Sequence, residues 1–435
     1  VSAQGETAGD PRADAPIAPR RRRWRRFVIV TALLLSALSL LTTWLLQPRQ
    51  LVPLVLDRAG SALSLELSAA ADAEARLRGE PQLVVRDLVV REPGADTAIL
   101  RADRVLLALP WSSLRDRDAA PVIERIELDA PVLNLPALQA WLDKRPPAEP
   151  PQMPTLTDGL RVVRGRIEGG SGDGAWRVED LALDLPALYP DRPLQARIRG
   201  RYADAGTLRA DFDLAAVLSR PADGAGLALT GPVTIADEGW RMPTTVNLSG
   251  PLFLTGKGFA VRPLAGSLAA RYESDDMRLP FALGLHGPLD YDGATWTLAP
   301  VALALRGEGP IPRLDARGGL GLGRRLAIRL AGELPRWPER WPALPPPVAQ
   351  SPSPLPFSLR YTGAPAFTDL AELALRRDAT TFDARFRLNE VLDWTARSDG
   401  PPLPPMDGRL TAPRLEVSGA TLEGVEVTLD DESIP

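Results

Sequence analysis

Proton-transfer chemistry near neutral pH usually begins with histidine, and this 435-residue chain has one, His286, within Leu283-Gly284-Leu285-His286-Gly287-Pro288. A Ser-His-Asp arrangement needs the imidazole oriented by a carboxylate and set against a nucleophile. The local sequence offers neither, and Gly287-Pro288 reads as a turn that leaves His286 at a strand end. Cysteine is absent, so no thiolate can ligate a metal, carry redox chemistry or form a disulfide. One histidine without cysteine leaves zinc short of its usual ligands. The acids Asp275-Asp276 and Asp430-Asp431-Glu432 read as solvated turn and tail residues rather than a calcium site. Gly169-Gly170-Ser171-Gly172-Asp173-Gly174 is similar to one calcium-binding β-roll repeat, but a single copy has nothing to stack on. It reads as a hairpin loop using glycine for positive φ. Gly318-Gly319-Leu320-Gly321-Leu322-Gly323 departs from a dinucleotide fingerprint and runs into another strand, Leu326 to Leu330, so it reads as a flexible strand or bulge. No catalytic, cofactor-binding or metal-ligating residue is expected, and the chain reads as a non-enzyme.

The elements available to position side chains are strands. Leu208-Arg209-Ala210-Asp211-Phe212-Asp213-Leu214 alternates apolar and polar residues, as do Arg125 to Ala130, Phe382 to Leu388 and Val425 to Asp430. Ala196 to Tyr202 places arginine at every outer position. Period two marks strands with one apolar and one solvated face. Turn signals at Glu92-Pro93-Gly94, Gly169 to Gly174, Ala222-Asp223-Gly224 and Asp292-Gly293 argue for antiparallel hairpins. At 8–12 residues per strand and turn, roughly 370 residues would give on the order of 30–40 strands. That is too many for one ordinary sheet, so the strands form either several sandwiches or one long curved sheet whose apolar face becomes a groove. Short helices are expected over Gln50 to Arg58 and Pro136 to Lys144; Thr368 to Arg377 leans to strand. Proline-rich stretches at Pro146 to Pro154, Leu334 to Pro356 and Pro401 to Pro405 cannot donate ladder hydrogen bonds and read as loops or edges. The middle one carries Trp337 and Trp341, is expected to be ordered against the sheet, and is the best internal boundary.

Near the start, Arg20-Arg21-Arg22-Arg23-Trp24-Arg25-Arg26 precedes an uncharged run from Phe27 to Leu46. Twenty uncharged, mostly apolar residues at 1.5 Å rise span roughly 30 Å, the thickness of a bilayer's hydrocarbon core. The arginines hold that end in the cytoplasm and send the rest across, with Trp24 and Trp44 near the interfaces. The run exceeds a signal-peptide h-region and ends in Thr43-Trp44-Leu45-Leu46, bulky where a peptidase needs small residues, so a retained anchor is expected. Residues 1–19 read as a disordered cytosolic tail. The chain begins at Val1, which fits either a non-AUG start or a trimmed terminus. A formal charge of −4 is near balance, so nothing points to nucleic acid as a partner. Lys144 and Lys257 are the only lysines, and this arginine bias with abundant Ala, Pro and Gly suits a GC-rich bacterial genome.

The order of features resembles the AsmA family of bacterial envelope proteins, which includes TamB-like members. After the anchor, Leu46-Gln47-Pro48-Arg49 leads through Ala59 to Leu65 and Arg78-Gly79-Glu80-Pro81-Gln82-Leu83-Val84-Val85, similar to the family's N-terminal run. Leu100 to Leu109, then Trp111-Ser112-Ser113-Leu114, then Ile123 to Leu133 is similar to its recurring strand, short break, and strand ending in a small residue and proline. Gly159 to Glu168 leads to Trp176 to Leu183, and Met406 to Pro413 leads to Gly419 to Val427, the latter resembling a C-terminal repeat. Residues 230–400 carry little of the resemblance. It implies a mainly β protein: a transmembrane helix followed by a long, curved antiparallel sheet forming a β-groove, with few short helices. The segments are a basic cytosolic tail (1–26), a signal anchor (27–46), an AsmA-like N-terminal β segment (47–145), a Pro-rich loop (146–154), a central β-groove segment (155–334), a Pro/Trp-rich loop (335–356) and a C-terminal β segment (357–435). The resemblance further implies an inner-membrane protein facing the periplasm, linked to phospholipid transport and outer-membrane assembly. The alternative is an anchored scaffold or secretion accessory that binds other envelope proteins through strand edges and carries no lipid.

Overall fold

A computed structural model describes residues 60, 64–70, 74–76, 79–115, 122–144, 154–255, 258–274, 277–338, 344, 348–365, 367–396, 405–417, 420–431 and 434. The cytosolic tail, the anchor, the Gln50 to Arg58 helix, Asp275-Asp276, Glu432, Trp341 and most of the Pro146 to Pro154 and Pro401 to Pro405 stretches lie outside them. Among the described residues no helix is long and apolar enough to cross a membrane.

The first strands among the described residues are the short β1 (Glu66–Ser68) and β2 (Glu74–Arg76), then the hairpin β3 (Gln82–Arg91) and β4 (Ala98–Ala108). The one-turn helix α1 (Trp111–Arg115) leads to β5 (Val122–Ile123), β6 (Arg125–Asp129) and β7 (Val132–Asn134). Helix α2 (Leu135–Asp143) precedes β8 (Thr155–Leu156), β9 (Leu160–Gly169) and β10 (Trp176–Leu185). Next come β11 (Leu194–Asp204), β12 (Arg209–Leu218), β13 (Ala225–Asp237), β14 (Trp240–Leu254), β15 (Phe259–Ser274) and β16 (Met277–Tyr291). They are followed by β17 (Trp296–Gly307), β18 (Arg313–Leu322), β19 (Leu326–Leu334), β20 (Leu355–Gly363), β21 (Leu370–Arg377) and β22 (Thr380–Arg387). Helix α3 (Leu388–Ala396) and the hairpin β23 (Asp407–Val417) and β24 (Ala420–Leu429) complete it.

Twenty-two of these strands form one curved sheet, and β5 pairs with β8 apart from it. From β10 onward each strand pairs antiparallel with the one before it. The sheet runs straight through the Pro/Trp-rich stretch, because Leu334 pairs with Leu355. Trp337 packs on the buried cluster of Leu334, Leu355 and Leu375, as expected of an ordered stretch.

Three expectations are corrected. The sheet is mixed rather than antiparallel throughout: β6 and β7 both run parallel to β9. Parallel neighbours require a crossover, and α2 lies in the connection. It forms because the Asn134 Oδ1 accepts from the Ala137 N–H at 2.9 Å and Pro136 sits in the first turn, where no N–H is needed. Second, the described residues form 24 strands, not 30–40, because β14, β15 and β16 reach 15, 16 and 15 residues. Third, Gly287-Pro288 is a bulge inside β16 and His286 lies mid-strand, paired with Ala265 and Ala302. Turn-like dipeptides inside long strands explain the overcount.

Those dipeptides align. The register shifts between Ser249 and Leu252, Val261 and Leu264, His286 and Leu289, and Leu298 and Val301 enclose Pro251, Pro263, Pro288 and Pro300 on four consecutive strands. Proline breaks a ladder bond, and a bulge absorbs the break while returning apolar residues on both sides to one face. The backbones then approach so closely that a Cβ on Gly287 would lie 2.2 Å from the Pro300 carbonyl oxygen. Curvature is evident in one long-range bond: the Gln139 Nε2 donates to the Gly293 carbonyl at 3.2 Å. Seven strand steps in a flat sheet would separate β9, beside α2, from β16 by about 34 Å, so the sheet must twist and bend to bring them together.

Candidate functional site

The register stacks apolar side chains into rows across the sheet. Leu229 pairs with Leu248, Leu285 with Leu303, and Leu330 with Leu359. The deepest part is Val261, Leu264, Leu298 and Val301, buried beside the crease formed by the four aligned bulges at Pro251, Pro263, Pro288 and Pro300, with Leu227, Leu252, Leu289 and Leu320 packed around them. A second cluster, Tyr361, Ala371, Ala384 and Phe386, lies nearer the C-terminus. Glycine makes room within the rows: a Cβ on Gly200 would meet the Phe212 ring at 2.9 Å. Away from the buried clusters the aliphatic side chains stay half-exposed. Helix α2 packs on β4, β7 and β9, and α3 packs on β22, where its Leu388 and Val391 cover the second cluster.

Aromatic rings border this aliphatic floor at both strand ends. Trp176 with Tyr202 (centroids 6.1 Å apart) and Trp240 with Tyr272 (5.8 Å) stand at one rim. Phe259, Tyr291 and Trp296 stand at the other, Tyr291 stacking on Trp296 at 4.5 Å. The Tyr202 and Tyr291 hydroxyls are pushed above the ordinary phenol range, chiefly by burial. Leu208 and Phe212, read from sequence as inward, are half-buried on this face, and Phe386 is buried; Arg209 and Asp211 point to the solvated face.

On the solvated face arginines meet carboxylates across strands. The Arg197 guanidinium donates to both Asp213 oxygens at 2.7 Å, and that hydrogen bonding holds the Asp213 carboxyl below its usual range. Arg201 pairs with Asp211 at 2.8 Å and Arg306 with Asp315 at 2.7 Å. Exposed pairs of this kind add little stability individually; they keep the face wet and fix which face is which.

Sequence reasoning missed two troughs on this same solvated face. One, about 1080 Å³, crosses β13 to β19 over Thr230, Asn247, Ser249, Ser267 and His286. The other, about 550 Å³, crosses β20 to β24 over Arg360, Glu372, Arg385 and Asp407. Small residues at outward positions (Ala228, Ala265, Ala302, Ala331) were the available signal, but they line up only once register is known. His286 is exposed in the first trough, without a hydrogen bond to the Ser249 or Ser267 hydroxyl or to the Asp315 carboxylate. Gly169 to Gly174 forms the β9–β10 turn, with Gly170 and Gly172 at φ +67° and +58°, as a hairpin loop requires. Gly318 lies in β18 opposite the last bulge, and Asp431 donates its backbone N–H to the Asp407 carboxylate at 2.9 Å. Comparison with family models, curated proteins and solved structures finds no match to this chain.

Proposed function

We propose that this chain is an envelope protein of the AsmA type, anchored in the bacterial inner membrane by residues 27–46 with its sheet in the periplasm. Its apolar sheet face binds phospholipid acyl chains and thereby supports outer-membrane assembly. One observation carries the reading: a half-exposed aliphatic face continues strand after strand, bordered by aromatic rings, and α3 and Trp337 cover it only toward the C-terminal strands. Exposed apolar area on this scale is otherwise a cost, and acyl chains are the ligand that recovers it.

Photo-crosslinkers at Leu208, Phe212 and Leu285 are expected to capture phospholipid in cells, while those at Arg209 and Asp211 are not. Equal labelling of the two sets would remove the acyl-chain reading. Phe386 is a poorer probe site, since at 9% exposure its replacement disturbs the cluster around Tyr361.

Orientation has its own test. A reporter active only in the periplasm, fused after Pro435, is expected to be active on the native chain. It should weaken when Arg20 to Arg26 are neutralised, because the positive charge that sets insertion is gone. Activity from a cytosolic reporter at that position would overturn the orientation.

One observation favours the alternative of a scaffold binding other envelope proteins: β24 pairs with β23 on one side, and its other edge has no strand among the described residues. Stoichiometric protein and no phospholipid after mild detergent extraction would decide for it.

A further inference from the structure

We propose that the strand ends bordering the β14–β15, β16–β17 and β18–β19 turns form a lip that docks on an anionic lipid surface. This deepens the acyl-chain reading and rests on it for what the docked lipid is for.

The register places six apolar residues in one row at this rim. Leu254 pairs with Phe259, Phe259 with Tyr291, Tyr291 with Trp296, Trp296 with Leu322, and Leu322 with Leu326. Three of them are strongly exposed: Leu254 at 72%, Trp296 at 40% and Leu322 at 45%. Helix α2 reaches the same rim through Gln139 and Gly293, and Leu142, three residues on, is 48% exposed. Tryptophan and tyrosine beside aliphatic side chains is the composition that settles at a membrane–water interface.

Charge selects the surface. Several arginines within the sheet meet carboxylates, as at Arg197–Asp213, Arg241–Glu273 and Arg306–Asp315. Arg324 and Arg325, exposed in the β18–β19 turn, have no carboxylate partner among the described residues, and Arg325 donates to the Thr362 carbonyl at 3.0 Å. Carboxylates are present at this rim too, but they are turned onto backbone amides. Asp223 accepts from the Leu254 N–H at 2.8 Å, Asp292 from those of Ala294 and Thr295, and Asp369 from that of Ala364. The guanidinium groups are thus the charges offered outward. The opposite rim carries exposed Glu238 and Glu308 beside Arg278 and Arg313 at its turns, and its Trp240 pairs with Asp237 and Ser274, so it presents neither a surplus of cations nor a continuous apolar row.

The native chain has no cysteine, so single cysteines can report on the full-length protein. An environment-sensitive fluorophore would be placed at Leu254→Cys, Leu322→Cys, Glu238→Cys or Glu308→Cys. Vesicles of phosphatidylcholine, with or without phosphatidylglycerol and carrying a nitroxide lipid, are then added. Quenching is expected at the first two positions with phosphatidylglycerol vesicles. It should be several-fold weaker with phosphatidylcholine alone, in high salt, and in an Arg324→Ser variant, which removes a side chain with no partner to lose. Equal quenching at both rims would overturn the lip. Its absence at Leu254→Cys and Leu322→Cys would do the same and would leave an acidic protein as the surface these arginines fit. Lipid uptake is read separately, at Leu285→Cys after the vesicles are spun away, so failure of the acyl-chain reading and failure of docking are distinguishable.

Discussion

Replacing Val301 by aspartate is expected to open the central part of the sheet while leaving its C-terminal strands folded. Val301 is 2% exposed and packed among Val261, Leu264 and Leu298. A carboxylate there has no partner, so the cost is on the order of 4–5 kcal/mol, against roughly 2 kcal/mol for the lost side chain in Val301→Ala. The pH dependence has a definite sign. Burial raises the introduced carboxyl's folded pKa above its unfolded value, so the charged form is what the fold rejects. The destabilisation should be smallest below about pH 4 and grow as pH rises through the unfolded value. Val301→Asn should show no such slope. Hydrogen exchange is the suitable measurement, since a sheet in which each strand touches mainly its neighbours confines a defect. Loss of protection in β16 to β18 with β20 to β24 unchanged is the expected pattern. Uniform loss along the chain would mean one cooperative unit instead.

Gly318→Ala carries the second large effect, from a single added carbon. A Cβ at Gly318 would lie 1.7 Å from the Arg329 carbonyl oxygen, a backbone atom that cannot rotate away. It lies opposite the bulge on β17, where Val301 faces it. Relief requires β18 and β19 to part, at a cost of about 3 kcal/mol or more, the upper range for overpacking. Gly174→Ala is the control, because a Cβ there meets nothing within 4 Å. Thermal unfolding of the two variants should separate clearly. Equal melting temperatures would show that the close approach around Gly318 relaxes without loss.

These effects centre on the crease, the feature that reading residue by residue conceals. Pro263 and Pro300 each look like a strand breaker, and Gly287-Pro288 looks like a turn. Only when β14 to β17 are paired do four prolines fall into adjacent register shifts and become one structural line. The parallel pairing of β7 with β9 was hidden for the same reason, since β7 is three residues long and its partner lies beyond a helix.

The sequence by itself determined what depends on near neighbours. Leu208 to Leu214 alternates, so β12 has an apolar and a charged face whatever it pairs with. Asp292-Gly293 and Ala222-Asp223-Gly224 close turns because their backbone needs are local. Pro136 behind Asn134 starts a helix. Tertiary structure decided what depends on register and curvature: that Leu264 and Val301 share one cluster, that outward alanines and serines of separate strands line a trough, and that Gln139 meets Gly293 across 154 positions. It also decided that the exposed apolar residues of three hairpins stand in one row. The physical reason is that side-chain alternation is set within a strand, whereas alignment between strands is set by where bulges shift the ladder and how far the sheet twists.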